Sequence, residues 1–375
     1  MQATMTSHDG ATQEADPTRR LRLAIDVGGT FTDVAILDER DGTVRFEKTA
    51  TTPQDPAVGV IGAVTKAHAS MEEIAYFVHG TTLALNAILT RSGASVALVT
   101  TRGFRDVYEL ARTDRDSNYD LWYRRQQTLV PRRLVYEVDE RMDYQGAVVR
   151  EFEAGGAEAV ARAIEREGVE AVAVCFLHSY ADPEHERQMG AVLREVLPDI
   201  DVTLSHELVR EYREYERTST AVVDAYVKPI IRRYLEHLQG SLTAADFAGR
   251  FLVIRSGGGA MTIDTAMEQP SQSVLSGPAG GVIGASAFAA LVDEPNLVTI
   301  DMGGTSLDAS LIVDGSPTTV TQVAMQGQTV ALPSLNITTI GAGGGSIAWI
   351  DEAGHLQVGP KSAGADPGPV AYAQG

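Results

Sequence analysis

The strongest constraint on this chain is a ten-residue segment that occurs twice. Residues 25–34 read IDVGGTFTDV and residues 300–309 read IDMGGTSLDA, with six of ten positions identical at an offset of 275. Each copy follows an apolar run and leads into another. A strand ending in Asp, a Gly-Gly-Thr turn and a second strand make a hairpin with little side-chain bulk. Its glycines allow positive φ and let a ligand approach the backbone. Successive N–H groups can form an anion-binding concavity, and a Thr hydroxyl adds a donor. One such turn is equally well explained as a tight hairpin. Two matched turns point to a duplicated element, because each has a leading Asp (Asp26, Asp301) and a trailing Asp (Asp33, Asp308). Facing each other across a cleft, they would grip a Mg-triphosphate from both sides. A strand-end Asp suits Mg²⁺, which takes few carboxylates and keeps several waters. The second Asp is also a candidate base or water orienter. Phosphoryl transfer asks chiefly for positioning and charge neutralisation.

Around the repeat the pattern is α/β. Leu21–Val27, Val34–Leu37 and Val44–Lys48 read as an antiparallel meander, with Asp41-Gly42 as a hairpin turn. A helix starts at Asp55-Pro56 and runs to about Ser70. Strands are expected at Ile74–Val78, Val96–Thr100 and Ala171–Phe176, with helices at Leu83–Arg91 and Pro183–Val196. The run AVAVCF at 171–176 is continuously apolar, as in a strand buried on both faces. A long helical pattern spans Glu211 to about Leu238, which Pro229 is expected to kink or divide. Phe251–Ile254 and Leu297–Ile300 are further strands. A meander followed by alternating helix and strand predicts a mixed sheet covered by helices. Three segments follow: a mobile polar leader at 1–20, a first domain at 21–210 and a second at 211–375. The second copy has only 74 residues after Asp301, against about 180 residues of structure after the first. The expectation is a fragment, or a chain completed by a partner.

Composition narrows the function. Fifty acidic against 31 basic residues give a net charge of −19. That is a poor basis for binding nucleic acid or an anionic membrane, which needs clustered Lys and Arg. Bound phosphate would then rest mainly on backbone N–H groups and a metal ion. No run of 18 apolar residues predicts a membrane span, and residues 1–20 lack the apolar core of a signal peptide. Cys175 is the sole cysteine, which excludes disulfides and thiolate zinc sites and fits a reducing cytosol. It lies in an apolar strand and reads as a core thiol.

Other motifs are weaker. Ile340–Ser346, IGAGGGS, could let a nucleoside lie against the backbone, though it matches no dinucleotide fingerprint. His79-Gly80-Thr81-Thr82 sits where a strand meets a helix, and is equally a helix cap or a substrate contact. Ser276–Gly281, SGPAGG, reads as the start of a helix at the domain junction. His178, His185 and His206 lack metal-ligand spacing.

With the duplicated hairpin as anchor, the chain resembles the ATP-dependent hydantoinase/oxoprolinase family, within the actin-like, sugar-kinase and heat-shock-chaperone superfamily. The stretches that carry the resemblance are LAIDVGGTFTDVAI, HGTTLALNAILTRSGASVALVTTRGFRDVYELAR, CFLHSYADPEHE, LSHELVREYREYERTSTAVVDAYVKP, SGPAGGVIGA, IDMGGTSLDASL and IGAGGGSIAWID. Together they cover nearly all of residues 21 to 370. The resemblance implies an actin-like ATPase fold, with two duplicated ribonuclease-H-like domains around a nucleotide cleft and the second domain truncated. It implies cytoplasmic, ATP- and Mg²⁺-dependent ring opening of a cyclic amide such as a hydantoin, 5-oxoproline or another lactam. Phosphorylation of the carbonyl oxygen would precede attack by water and loss of phosphate. The alternatives are the ATP-dependent activating subunit of a ketone carboxylase, or an inactive nucleotide-binding fragment.

Carried over by position, Asp26, Gly28, Gly29, Thr30 and Asp33 form the first phosphate and metal element, and Asp301, Gly303, Gly304, Thr305 and Asp308 the second. Asp26 and Asp301 are the catalytic and metal-binding pair. Gly341, Gly343, Gly344 and Gly345 lie near the adenosine. His79, Thr81, Thr82 and Asn86 are, by the same resemblance, secondary candidates for substrate or phosphate contact. The implied partner is a hydantoinase B-like second subunit or the missing C-terminal region, in an oligomer, with neither nucleic acid nor membrane involved.

Overall fold

The structure, a computed structural model, describes residues 19–27, 31–50, 56–113, 119, 121–122, 127–304, 307–340, 342–351, 354–363 and 368–370. Gly28, Gly29, Thr30, Thr305 and Gly341 lie outside the described residues, as does the leader up to residue 18.

The chain opens as the meander that its alternation predicts: β1 (Leu21–Val27), β2 (Phe31–Asp38) and β3 (Val44–Ala50), all antiparallel. Gly42 turns β2 into β3 with φ +74°, a conformation that suits glycine. β4 (Ile74–Thr81) then pairs parallel to β1. Leu23, Ile25, Val34 and Ile36 share one face of this sheet and are buried. The helix Pro56–Lys66 packs on that face with Val60, Ala63 and Val64. This helix stops short of the expected Ser70, because the chain turns at Ala67–His68 with His68 at positive φ.

A second sheet is wholly parallel, in the order Asp201–Leu204, Ala171–Cys175, Val96–Thr101, Val135–Val138. Ala171–Cys175 is buried at every position, as its unbroken apolar run requires. Cys175 is a buried core thiol, and burial raises its pKa. His185 and His206 are also buried, each on a carboxylate: Glu140 at 2.8 Å and Glu186 at 2.7 Å.

The helix Glu214–Ala244 packs on the second sheet and against the helices Pro56–Lys66 and Leu83–Thr90. Of the kink or division expected at Pro229, the division does not occur: the helix runs unbroken through it. Every residue from Tyr215 to Pro229 is buried, and that packing outweighs the roughly 3 kcal/mol a helical proline costs. After this helix the chain returns to the first sheet. Arg250–Ile254 pairs parallel to β4, and Ala260–Thr262 closes the edge. The first sheet therefore draws strands from both sides of residue 210.

The helix Ser276–Val292 follows, and then the second meander. Leu297–Met302 pairs antiparallel with Leu307–Val313, which pairs with Ile337–Ile340. The registers of the two copies agree: Asp26 stands opposite Asp33, and Asp301 opposite Asp308.

Candidate functional site

Asp26 leaves the end of β1 toward a cleft of about 680 Å³ whose lining also includes Asp33, Lys48, Lys66, Gly277, Gly280, Gly281 and Asp301. The leading aspartates of the two repeats thus meet in one space, although 275 residues separate them. The period of two accounts for the first half of this result. Leu23 and Ile25 point into the core, so Ala24 and Asp26 point away from it, toward the cleft.

Asp26 is the most perturbed carboxyl of the site. Its pKa is pushed up to about 6, first by burial and then by the charges of Asp33 and Asp301, with Lys48 opposing. Its Oδ1 is buried and accepts no hydrogen bond. Space explains why. Cβ atoms added at Gly80 and Gly277 would lie 3.0 and 3.2 Å from this oxygen. Asp26 is therefore seated between two backbones that approach only because they carry no side chain. A buried anion without a donor is costly, and a cation at this point would satisfy it.

Asp33 is salt-bridged to Lys48 at 2.7 Å, and Lys66 reaches the Lys48 carbonyl at 3.0 Å. Two lysines thus line the cleft as well, beside the backbone N–H groups and metal ion expected to hold most of a bound phosphate. Asp301 is exposed. Asp308 accepts a hydrogen bond from the Thr339 hydroxyl at 2.5 Å, and burial raises its pKa. Among the described residues, no group of three or more His, Cys, Asp or Glu side chains is placed to hold a metal. The donor set at the cleft is instead the sparse pair Asp26 and Asp301, the kind that suits a largely hydrated Mg²⁺.

The remaining sequence candidates divide. Thr81 is buried and ties two elements together. Its N–H donates to the Ser276 hydroxyl at 3.1 Å, and that hydroxyl donates to the Thr81 carbonyl at 3.0 Å. Its own hydroxyl accepts from Leu83 N–H at 3.1 Å, at the start of the next helix. Thr82 holds Val27 and Asn86: its N–H donates to the Val27 carbonyl at 3.3 Å, and Asn86 Nδ2 donates to its hydroxyl at 3.2 Å. These residues brace the Asp26 pocket from behind.

His79 sits elsewhere. It is fully buried among Phe77, Phe251 and Tyr234, with Nε2 2.8 Å from the Tyr234 hydroxyl. Burial pushes its pKa down to about 3, so the ring is neutral. It is not among the residues lining the cleft.

The third glycine-rich element backs onto the second repeat turn. Gly344 and Gly345 donate to the carbonyls of Gly303 and Gly304 at 2.9 and 2.6 Å, and Gly343 donates to the Ser346 hydroxyl at 2.8 Å. A Cβ at Gly345 would stand 2.9 Å from the Gly304 oxygen, so this contact depends on glycine.

SGPAGG does begin a helix, as expected, but it also forms a wall of the site. Gly277, Gly280 and Gly281 lie at i, i+3 and i+4, hence on one helix face, and that face lines the cleft beside Asp26. The glycine spacing in SGPAGG was the signal in the sequence for this role.

The molecule is therefore a mixed α/β protein with two matched hairpins whose leading aspartates share one glycine-walled cleft. The profile of the hydantoinase/oxoprolinase N-terminal region matches residues 22–197, and that of hydantoinase/oxoprolinase matches residues 217–375. The chain belongs to the hydantoinase/oxoprolinase family. It is 34% identical over 367 residues to the caprolactamase subunit alpha of Pseudomonas jessenii, covering 95% of this chain and 53% of that one. The crystal structure of the ATP-dependent caprolactamase from that organism superposes with a TM-score of 0.80 at 33% identity, over 94% of this chain and 52% of the other. A nucleotide-free structure of acetone carboxylase superposes with a TM-score of 0.83 at 28% identity, over 92% and 52%. The 5-oxoprolinase 1 of Arabidopsis thaliana is 33% identical over 391 residues, 95% of this chain and 30% of that one. The chain spans about half the length, or less, of these relatives. No helix among its described residues is long and apolar enough to cross a membrane.

Proposed function

We propose that this chain is the ATP-handling part of an enzyme that activates a carbonyl group by phosphorylation and opens a cyclic amide such as a hydantoin, 5-oxoproline or another lactam. One observation carries the reading: Asp26 and Asp301 line the same cleft, with the Asp26 Oδ1 buried and without a hydrogen-bond donor. The names of the relatives support ATP use and a carbonyl substrate.

Mg²⁺ held by Asp26 and Asp301 would neutralise charge on the transferring phosphoryl group. The protein's own part is positioning. The glycines at 277, 280 and 281 keep the wall free of side chains, so that a triphosphate can approach the backbone. By their sequence, the segments Gly28-Gly29-Thr30 and Gly303-Gly304-Thr305 would supply donors to its oxygens. In the proposed reaction, the substrate's carbonyl oxygen attacks the γ-phosphorus and ADP leaves. One water adds to the activated carbon, the C–N bond breaks as the nitrogen takes a proton, and a second water releases phosphate. The step is needed because an amide carbonyl is a poor electrophile.

A second reading has comparable support from the acetone carboxylase superposition. In it, the chain activates a small ketone for carboxylation as one subunit of an assembly. The subunit names of several relatives support a multi-chain enzyme in either case. The test is phosphate release from Mg-ATP with 5-oxoproline, hydantoins, lactams and small ketones, each with and without bicarbonate. Stimulation by a cyclic amide without bicarbonate is the expected result. A strict bicarbonate requirement would establish the ketone reading. Saturable ATP binding with no stimulation, even after a partner is added, would reduce the chain to a nucleotide-binding module.

A further inference from the structure

Among the described residues that line the cleft are four acidic side chains, Asp26, Asp33, Glu47 and Asp301, and two cations, Lys48 and Lys66. A triphosphate entering this space needs its charge offset, so the placing of the lysines matters. Strand register fixes one of them. Asp26 stands opposite Asp33, and Asp33 opposite Lys48, so the three form one row across β1, β2 and β3. Residues directly opposed on paired strands share a face, and this is the face that carries Asp26 into the cleft. The row of the second repeat runs Asp301, Asp308, Thr339. In each row the third residue bonds the middle aspartate: Lys48 Nζ donates to Asp33 at 2.7 and 2.8 Å, and the Thr339 hydroxyl to Asp308 at 2.5 Å. The matched hairpins are thus chemically unequal, since the first row ends in an ammonium and the second in a hydroxyl. Stability does not account for the ion pair. The Lys48 and Asp33 side chains are 56 and 52% exposed, and a pair so exposed contributes little. Lys66 is held differently, by the Glu47 carboxylate at 3.1 Å and the Lys48 carbonyl at 3.0 Å.

We propose, resting on the reading of the cleft as a Mg-ATP site, that Lys48 is a catalytic residue whose ammonium meets the phosphoryl group in transfer, and that Asp33 is the positioning residue that aims it, not a metal ligand. Lys48 forms and breaks no covalent bond. The carbonyl oxygen bonds to the γ-phosphorus, and the bond from that phosphorus to the β,γ-bridging oxygen breaks with its electron pair leaving on ADP. The ammonium keeps its proton and offsets the charge on the phosphoryl oxygens. Asp33 fixes the direction of a long, flexible side chain that would otherwise have to be ordered when the nucleotide arrives.

The test is calorimetric titration of the whole chain with Mg-ATP, repeated over a range of Mg²⁺ concentrations. Lys48→Met should weaken binding about tenfold or more, as loss of a charge-assisted contact does. Lys48→Arg keeps the charge and should recover most of the affinity. Asp33→Asn should cost less than Lys48→Met, should cost nothing further in the Lys48→Met background, and should leave the Mg²⁺ requirement unchanged. With any carbonyl compound that stimulates phosphate release, Lys48→Met should lower kcat about 100-fold with little change in that compound's KM. Both side chains are exposed, and an unchanged urea midpoint checks that the variants are folded. Unchanged Mg-ATP affinity in Lys48→Met would overturn the role of Lys48. A further loss in the double variant, or a raised Mg²⁺ requirement in Asp33→Asn, would make Asp33 a direct ligand and overturn its role. Absence of Mg-ATP binding by the parent chain would instead remove the reading of the cleft itself, and this proposal with it.

Discussion

The two hairpins share residues, register and a leading aspartate, yet they sit in opposite surroundings. In the first, Asp26 is mostly buried between Gly80 and Gly277, and the opposite face of the sheet lies under a helix. In the second, Asp301 is exposed and the opposite face is bare. The lesson is that a repeated motif specifies local geometry, while its energetics come from what packs on it. The same isoleucine is a core residue at position 25 and a surface residue at 300. The same strand-end aspartate has its pKa raised to about 6 at position 26.

The largest effect should come from Asp301→Asn. If both carboxylates serve phosphoryl transfer, phosphate release falls by about 100-fold or more, while the unfolding midpoint hardly moves because the side chain is exposed. Unchanged turnover would remove Asp301 from the site. Next, Ile25→Ala should cost about 2–4 kcal/mol in urea unfolding, as core truncations do. The matching Ile300→Ala should stay within about 0.5 kcal/mol, as surface changes do. Equal losses at both positions would mean that the second face is covered after all.

Asp26 allows a test in pH. Its folded-state pKa of about 6 lies above the ordinary 3.8, so ionising it costs stability. That cost is absent below about pH 4, grows through the window between the two values, and is complete above about pH 7. Asp26→Asn should therefore stabilise the chain by about 2–3 kcal/mol at pH 8 and by almost nothing at pH 4. Denaturant titrations at the two pH values compare them, and a constant difference would contradict the burial argument. Mg²⁺ should raise the melting temperature of the parent chain and leave that of Asp26→Asn unchanged.

The smallest effect is at Gly277→Ala. The new Cβ would stand 3.2 Å from Asp26 Oδ1 and 3.3 Å from Thr82 Cγ2. The expected overpacking, of about 1 kcal/mol, is partly offset by alanine's better helix propensity. Calorimetric affinity for Mg-ATP should drop several-fold. Unaltered affinity would show that the glycine wall is only a packing device.

Much of this was legible in the residues alone, because the relevant physics is local. Alternation over Leu21–Val27, the Asp41-Gly42 turn and the apolar run at 171–175 depend on neighbours within a few positions, and they gave the expected strands. The doubled Asp-Gly-Gly-Thr segment is likewise visible in one dimension, and with it the candidate pair Asp26 and Asp301. Other features need distant parts of the chain. Nothing near Pro229 shows that its helix is wrapped by two layers and so survives the proline. Nothing near His79 shows that Tyr234 of the long helix and Phe251 of the returning strand converge on its ring and bury it. The return of Arg250–Ile254 to the first sheet, the use of Gly277 as a seat for Asp26 and the nakedness of Ile300 depend on contacts between residues tens to hundreds of positions apart. Local sequence sets backbone geometry and the alternation of faces through short-range sterics and hydrogen bonding. Burial, pKa and exposure are set by which surfaces meet, and only the folded arrangement of the whole chain settles that.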